Sequence, residues 1–251
     1  MTDHLSESSN RREAVAIVAA LALELGPIRR LCQIESKTTT RDFTFETGTL
    51  GDTPIVLACS GPGREKARRA TQAVLDAHPI GCVVSCGLAG ALADELPLGA
   101  IVVADGVIDT EGGRIDLSPV VAPDIERRLF VGKLLTSGRV ITRVDEKRRL
   151  GEETGALAVD METFGTAACC RDAGVPCVAI RAISDDLSRD LPPDVAKMLT
   201  QRGPRQWGAA AGALLKEPSL ATDLWTLREQ ATSAADILGR FTAAAVPQLL
   251  N

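Results

Sequence analysis

The chain has 251 residues, is 45% hydrophobic and carries a formal net charge of −5. That length supports one large domain with a full core, and the acidic balance lacks the electrostatic footprint of a nucleic-acid binder. With no Tyr and two Trp there is no stacking platform for single strands either, so nucleic acid is not expected as a partner.

Residues 1–13, "MTDHLSESSNRRE", are polar, lack the apolar stretch of a signal peptide and read as a flexible tail. Residues 14–251 read as a single domain, with a helical extension over about 187–251. No apolar run reaches the roughly 18 residues of a membrane span. The seven Cys form no CxxC pair and mostly lie in apolar runs, as reduced thiols in a cytoplasmic protein do.

Short Val/Ile/Ala runs at 14–20, 54–59, 82–86, 100–104, 133–136, 157–159 and 175–183 predict strands. Several are apolar at consecutive positions, which suits strands covered on both faces. Between them, "GREKARRATQAVLDAH" puts Ala67, Ala70, Val74 and Leu75 on one helical face, and "METFGTAACCRDAG" closes on Gly174. Strands alternating with helices predict an α/β layered domain with a mostly parallel sheet. Beyond Asp186 a loop-rich bridge leads to two amphipathic helices broken near Pro218, with an apolar stripe of Leu224, Leu227, Ala231, Ala234, Ala235 and Leu238. That stripe reads first as packing on the sheet, and second as a cover over a ligand mouth or a surface meeting a membrane.

Five stretches carry candidate chemistry. "AALALELGPIRR" places Glu24 after the first strand, where it can position water or ligand. "SGPGREKA" follows a strand and opens a helix, so Gly61 and Gly63 permit close approach of an anion, with Arg64 nearby. It reads equally as a tight turn or a phosphate loop. A dinucleotide fold would also need an acid at the end of the next strand, which here reads "SCGLAG". In "CGLAGAL", Gly87 and Gly90 suit a small-residue turn beside a flat ligand, and Cys86 has no His placed to activate it. "LAVDMETF" delivers Asp160, Met161 and Glu162 to a strand's carboxyl end, where open α/β sheets bind ligands. One acid caps the following helix, and the pair suits a sugar, with the Met sulfur under the ring. "RAISDD" ends a buried strand in Ser184, Asp185 and Asp186, and its Arg181 needs an acidic partner such as Glu162, or a ligand anion. An Asp185 crowded by Glu162 would hold a proton near neutrality and could give it away.

Taken in order, "VAIVAALALEL", "SGPGREKA", "GLAGALADELPLGAIVVAD", "LAVDMET" and "VPCVAIRAISD" resemble the purine nucleoside phosphorylase/methylthioadenosine nucleosidase superfamily, over about Ala14 to Asp185. The resemblance implies a three-layer αβα sandwich around a mixed, mostly parallel sheet, and cleavage of a nucleoside N-glycosidic bond. It implies Asp185 as the acid that protonates N7 of the purine, Glu162 on the ribose hydroxyls, Met161 beneath the sugar, and Glu24 orienting the attacking water. It also sets Gly87, Leu88, Ala89 and Gly90 beside the ribose. No metal or organic cofactor is implied; inorganic phosphate is the co-substrate if the reaction is phosphorolytic, with Arg64 and Arg139 as its candidate ligands. Two positions depart from the pattern: Leu88 stands where nucleosidases commonly have Ser, and Val140 and Ile141 stand where an aromatic often stacks on adenine.

The C-terminal "SRDLPPD" and "LLKEPSLATDLWTLREQATSAADIL" resemble the hopanoid-associated branch. That implies phosphorolytic release of adenine from the lipid-linked nucleoside adenosylhopane, by a cytoplasmic homodimer in transient contact with a membrane and without a stable anchor. The alternative within the family is a methylthioadenosine/S-adenosylhomocysteine nucleosidase acting by hydrolysis. From other classes come an NAD(P)-dependent oxidoreductase and a non-catalytic nucleoside-binding module.

Overall fold

The computed structural model describes residues 13–40, 43–192 and 218–250, the side chains of 218–224 excepted. The polar tail before residue 13, most of the bridge and the first of the two expected C-terminal helices therefore lie outside the described residues. In chain order the elements are β1 (Ala14–Ala19), α1 (Ala22–Arg29), β2 (Gln33–Thr39), β3 (Thr44–Leu50), β4 (Thr53–Cys59), α2 (Arg64–Ala77), β5 (Ile80–Ala91), β6 (Ile101–Asp109), β7 (Arg114–Asp116), β8 (Leu129–Thr136), α3 (Val144–Thr154), β9 (Ala158–Asp160), α4 (Thr163–Ala173), β10 (Cys177–Asp185) and α5 (Pro218–Ala245).

The reason β1 is apolar at every position is visible in its packing. Val15, Ile17 and Ala19 join a cluster with Leu25, Ile28, Ala234 and Leu238, from α1 and α5. Ala14, Ala16 and Val18 join another with Val74 and Cys170, from α2 and α4. Alternate residues thus bury against helices on opposite faces, which makes three layers.

The ten-stranded sheet runs β10-β6-β8-β9-β5-β1-β4-β3-β2, with β7 beside β6. Strand β10 also pairs with β5, so β10, β6, β8, β9 and β5 close into a ring. Pairings of β1 with β4 and β5, β5 with β10, and β8 with β6 and β9 are parallel. The edge strands β2 and β3, and the β5–β9 and β6–β10 contacts, are antiparallel. The sheet is thus mixed, with its parallel part at the centre.

Two expectations are corrected. The "CGLAGAL" stretch is not a turn: it continues β5, with Gly87 opposite Arg181 and Gly90 opposite Asp185 on β10. Small residues there admit side chains from neighbouring elements, since a Cβ on Gly90 would stand 2.7 Å from Asp185 Oδ2. Glu24 likewise sits in the first turn of α1 rather than in a loop. Helix α5 carries both roles considered for its stripe. Ala234, Ala235 and Leu238 are buried, while Leu227 and Ala231 face a cavity. Among the described residues, no helix is long and apolar enough to cross a membrane.

Candidate active site

A cavity of about 300 Å³ opens where β1, β4, β8, β9 and β10 end. It draws Glu24 from the first turn of α1, Pro62 from the turn after β4, Arg139 to Ile141 from that after β8, and Asp160 to Glu162 from β9 and its junction with α4. Leu88 to Gly90 contribute from β5, and Ser184 and Asp185 from the end of β10. Convergence on carboxyl ends of strands is the general placement of ligand sites in open α/β sheets. Its wall is mostly apolar and includes Leu21, Leu23, Leu191, Leu227 and Ala231.

Beneath the cavity lies a polar post. Arg181 is 1% exposed. Its Nε donates to Asp160 Oδ2 at 2.8 Å, its Nη1 to the Ser85 and Ile180 carbonyls, and its Nη2 to Ser85 Oγ and Thr163 Oγ1. These bonds engage all five guanidinium N–H groups. The partner of Arg181 is therefore Asp160 rather than Glu162 or a ligand phosphate. Asp160 touches the cavity wall, yet its carboxylate turns to Arg181, to Thr136 Oγ1 at 2.8 Å, and to the N–H and Oγ1 of Thr163. It caps α4 through that N–H.

Glu162 stands at the N-cap of α4, half-buried, and accepts from the Gly63 N–H at 2.6 Å. Gly63 adopts φ 103°, a conformation that favours glycine. The anion seated in the "SGPGREKA" loop is thus the protein's own carboxylate. Burial, then the charges of Asp160 and Glu24, push Glu162 up to about 8. Glu24 is 4% exposed; its Oε2 accepts from the Leu21 N–H at 2.8 Å and its Oε1 from the Leu88 N–H at 2.9 Å. Burial raises its pKa as well, against those backbone bonds and the charge of Arg181. The Leu88 contact comes from the backbone, so it survives the Ser-to-Leu departure. A Cβ on Gly87 would stand 3.1 Å from Glu24 Oε1.

Asp185 has a different neighbour from the one expected. Its Oδ2 accepts from the Nζ of Lys147, and its Oδ1 from Ser184 Oγ at 2.9 Å. The adjacent charge is a cation, not the Glu162 carboxylate. Lys147 was not legible because "VDEKRRL" reads as a solvated, charged helix face. Of the two phosphate candidates, Arg64 Nη1 pairs with Asp109 at 2.9 Å and its guanidinium stacks on Phe164, away from the cavity. Arg139 lines the cavity and pairs with Glu146. Cys86 is buried against Thr242, and burial pushes its thiol up to about 11, which suits packing and not attack.

A family model described as "Phosphorylase superfamily" matches residues 14–123 and 116–241. The chain belongs to the phosphorylase superfamily. It is accordingly an enzyme that breaks N-glycosyl bonds. Curated relatives include the 5'-methylthioadenosine/S-adenosylhomocysteine nucleosidase of Mycobacterium bovis, 26% identical over 218 residues, covering 68% of this chain and 85% of the relative. That of Shewanella oneidensis is 27% identical over 214 residues, covering 75% and 91%. Among solved structures, the Helicobacter pylori 5'-methylthioadenosine/S-adenosylhomocysteine nucleosidase with butyl-thio-DADMe-Immucillin-A superposes with a TM-score of 0.72 at 19% identity, covering 95% of this chain and all of that one. Futalosine hydrolase from the same organism superposes at 0.71 and 19%, covering 94% and 98%. These likenesses establish the fold.

The site of this phosphorylase-superfamily chain makes a prediction about pH. Glu162 titrates near 4.5 when unfolded and near 8 when folded. The folded state then holds the extra proton between those values, and its stability falls as pH rises through that window. Melting temperatures of wild type and Glu162→Gln between pH 4.5 and 8.5 test this: the wild type falls more steeply. Parallel curves would show that Glu162 is not the group responsible.

Proposed function

We propose that this enzyme hydrolyses the N-glycosidic bond of an adenine nucleoside bearing an apolar 5' substituent, in the manner of a methylthioadenosine/S-adenosylhomocysteine nucleosidase. One observation carries the choice of water over phosphate. Glu24 and Glu162 both line the cavity; of the two arginines that line it, Arg139 is engaged by Glu146 and Arg228 stands on α5, while Arg181 and Arg64 lie outside the lining and are engaged by Asp160 and Asp109. An ionised Glu24, held by two backbone N–H groups, repels a phosphate dianion and favours a cationic transition state, while Glu162, which keeps its proton up to about 8, can hydrogen-bond the sugar. In this reading Asp185 protonates the base and makes it a neutral leaving group. Positive charge grows on the ribose, faced by Glu24. Glu24, held by two backbone N–H groups, orients the water that captures C1′. Met161 and Glu162 hold the sugar, and Val140 and Ile141 flank the base.

A second reading keeps the same acids and replaces water by phosphate, with adenosylhopane as substrate. The observation in its favour is the apolar wall, to which Leu23, Leu88, Leu191 and Leu227 contribute. A hydrocarbon at C5′ would meet that wall as a methylthio group would. Phosphate would then draw on Arg228, which lines the cavity, or displace Arg139 from Glu146.

Adenine release, followed chromatographically on methylthioadenosine, S-adenosylhomocysteine, adenosine and adenosylhopane with and without phosphate, separates these readings. Hydrolysis predicts equal rates in both buffers and a free reducing sugar. Strict dependence on phosphate would transfer the reading to phosphorolysis. No adenine from any of these nucleosides would remove both.

A further inference from the structure

We propose that Lys147 is the proton source behind Asp185: its ammonium reloads the carboxyl group that protonates the leaving base. The inference rests on the reading that Asp185 is the proton donor. On α3, Arg148, Arg149 and Glu153 are surface residues, and the residue the helix buries is a lysine, 0% exposed. Its Nζ reaches Asp185 Oδ2 and, at 3.4 Å, the Asp186 carbonyl. Lys147 does not line the cavity, whereas Asp185 does, with its side chain 17% exposed. The carboxyl group therefore stands between the ammonium and the space for the base.

That arrangement is costly for stability alone. A buried ammonium loses its hydration, and apolar residues in place of a whole buried ion pair commonly serve a fold as well or better. The choice of lysine also matters. An ammonium can give up a proton, while a guanidinium holds its protons throughout the useful range.

The step balances as follows. An Nζ–H bond breaks and an Oδ2–H bond forms, so Lys147 becomes a neutral amine and Asp185 a carboxylic acid. The acid passes the proton to a ring nitrogen as the C1′–N bond breaks, its electron pair leaving with the base. Asp185 is a carboxylate again. Water adds to C1′ and gives up its proton to Glu24 and then solvent. A proton from solvent restores Lys147 through Asp185 once the base departs. Lys147 touches no substrate in this scheme and acts through Asp185, as a positioning and reloading residue.

The test uses the full chain with Lys147→Met and Lys147→Arg, assayed for kcat and KM on methylthioadenosine and for adenine binding by calorimetry. Both variants should lose about 10²-fold or more in kcat, the scale of a proton-transfer contribution, with KM and adenine affinity within about threefold of wild type. Activity of Lys147→Arg within about threefold of wild type overturns the proposal, because a fixed positive charge would then suffice. Activity of Lys147→Met at that level overturns it too. So does a Lys147→Met variant whose adenine affinity falls in step with kcat, since that is what loss of scaffold would do. A wild type that releases no adenine, or an Asp185→Asn variant as active as wild type, sinks the functional reading itself and is distinguishable from these outcomes.

Discussion

Asp185→Asn should release adenine about 10²- to 10⁴-fold more slowly than wild type while remaining folded, the loss expected when a general acid is removed. An unprotonated purine leaves as an anion, and an amide has no proton to give it. The amide oxygen can still accept from Lys147 Nζ, so the buried ammonium keeps a partner and the fold is largely maintained. Asp185→Ala provides the contrast. It leaves the Lys147 ammonium, 0% exposed, without its ion-pair partner, and losing one member of a buried pair costs about 3–5 kcal/mol. Activity and thermal melting measured together distinguish chemistry from structure: Asn loses turnover and keeps most of its stability, and Ala loses both. Turnover of Asp185→Asn within threefold of wild type would falsify the assignment of the proton donor.

The stretches that face both ways in the sheet were legible because burial on two sides leaves consecutive apolar residues. Strands β1, β4, β9 and β10 and helices α2 and α4 follow the pattern closely. Strands β2 and β3 were not legible. β2 is an exposed edge reading "QIESKTT", with polar side chains that carry no burial signal. The same asymmetry holds at the site. Acids that end apolar strands or follow them directly, Asp160, Glu162 and Asp185, announce themselves by position. Residues that complete the site from a helix do not: Glu24 lies in the first turn of α1, and Lys147 sits on a helix that otherwise reads as solvated. The glycines of β5 signalled close approach. What they admit, Glu24 and Arg181 at Gly87 and Asp185 at Gly90, depends on elements distant in sequence. Pairing of Arg181 with Asp160 was likewise a choice among acids that only register decides. Asp160 ends β9 and Arg181 lies within β10, and both strands flank β5.

That pairing sets the largest expected effect on stability. Arg181→Met should cost about 3–5 kcal/mol, the range for removing one member of a buried ion pair. At roughly 2–4 °C per kcal/mol for a chain of this size, the melting temperature drops by about 6–20 °C. The physical cause is what remains. Asp160 keeps Thr136 Oγ1 and the Thr163 N–H and Oγ1 but loses the countercharge, with its side chain 0% exposed. Ser85 Oγ loses the guanidinium donor as well. The consequence extends to catalysis, because Met161 and Glu162 follow Asp160 directly and Gly87 packs against the same guanidinium. The double variant Arg181→Met/Asp160→Asn discriminates between lost charge balance and lost packing. It removes the stranded carboxylate, so it should regain part of the stability lost by Arg181→Met alone, a coupling of about 1 kcal/mol or more. Its turnover should stay low, since neutralising Asp160 does not restore the post under the sugar site. If Arg181→Met melts within 2 °C of wild type, or if the second substitution adds its full cost to the first, the post is not what ties β9 and β10 together beneath the cavity.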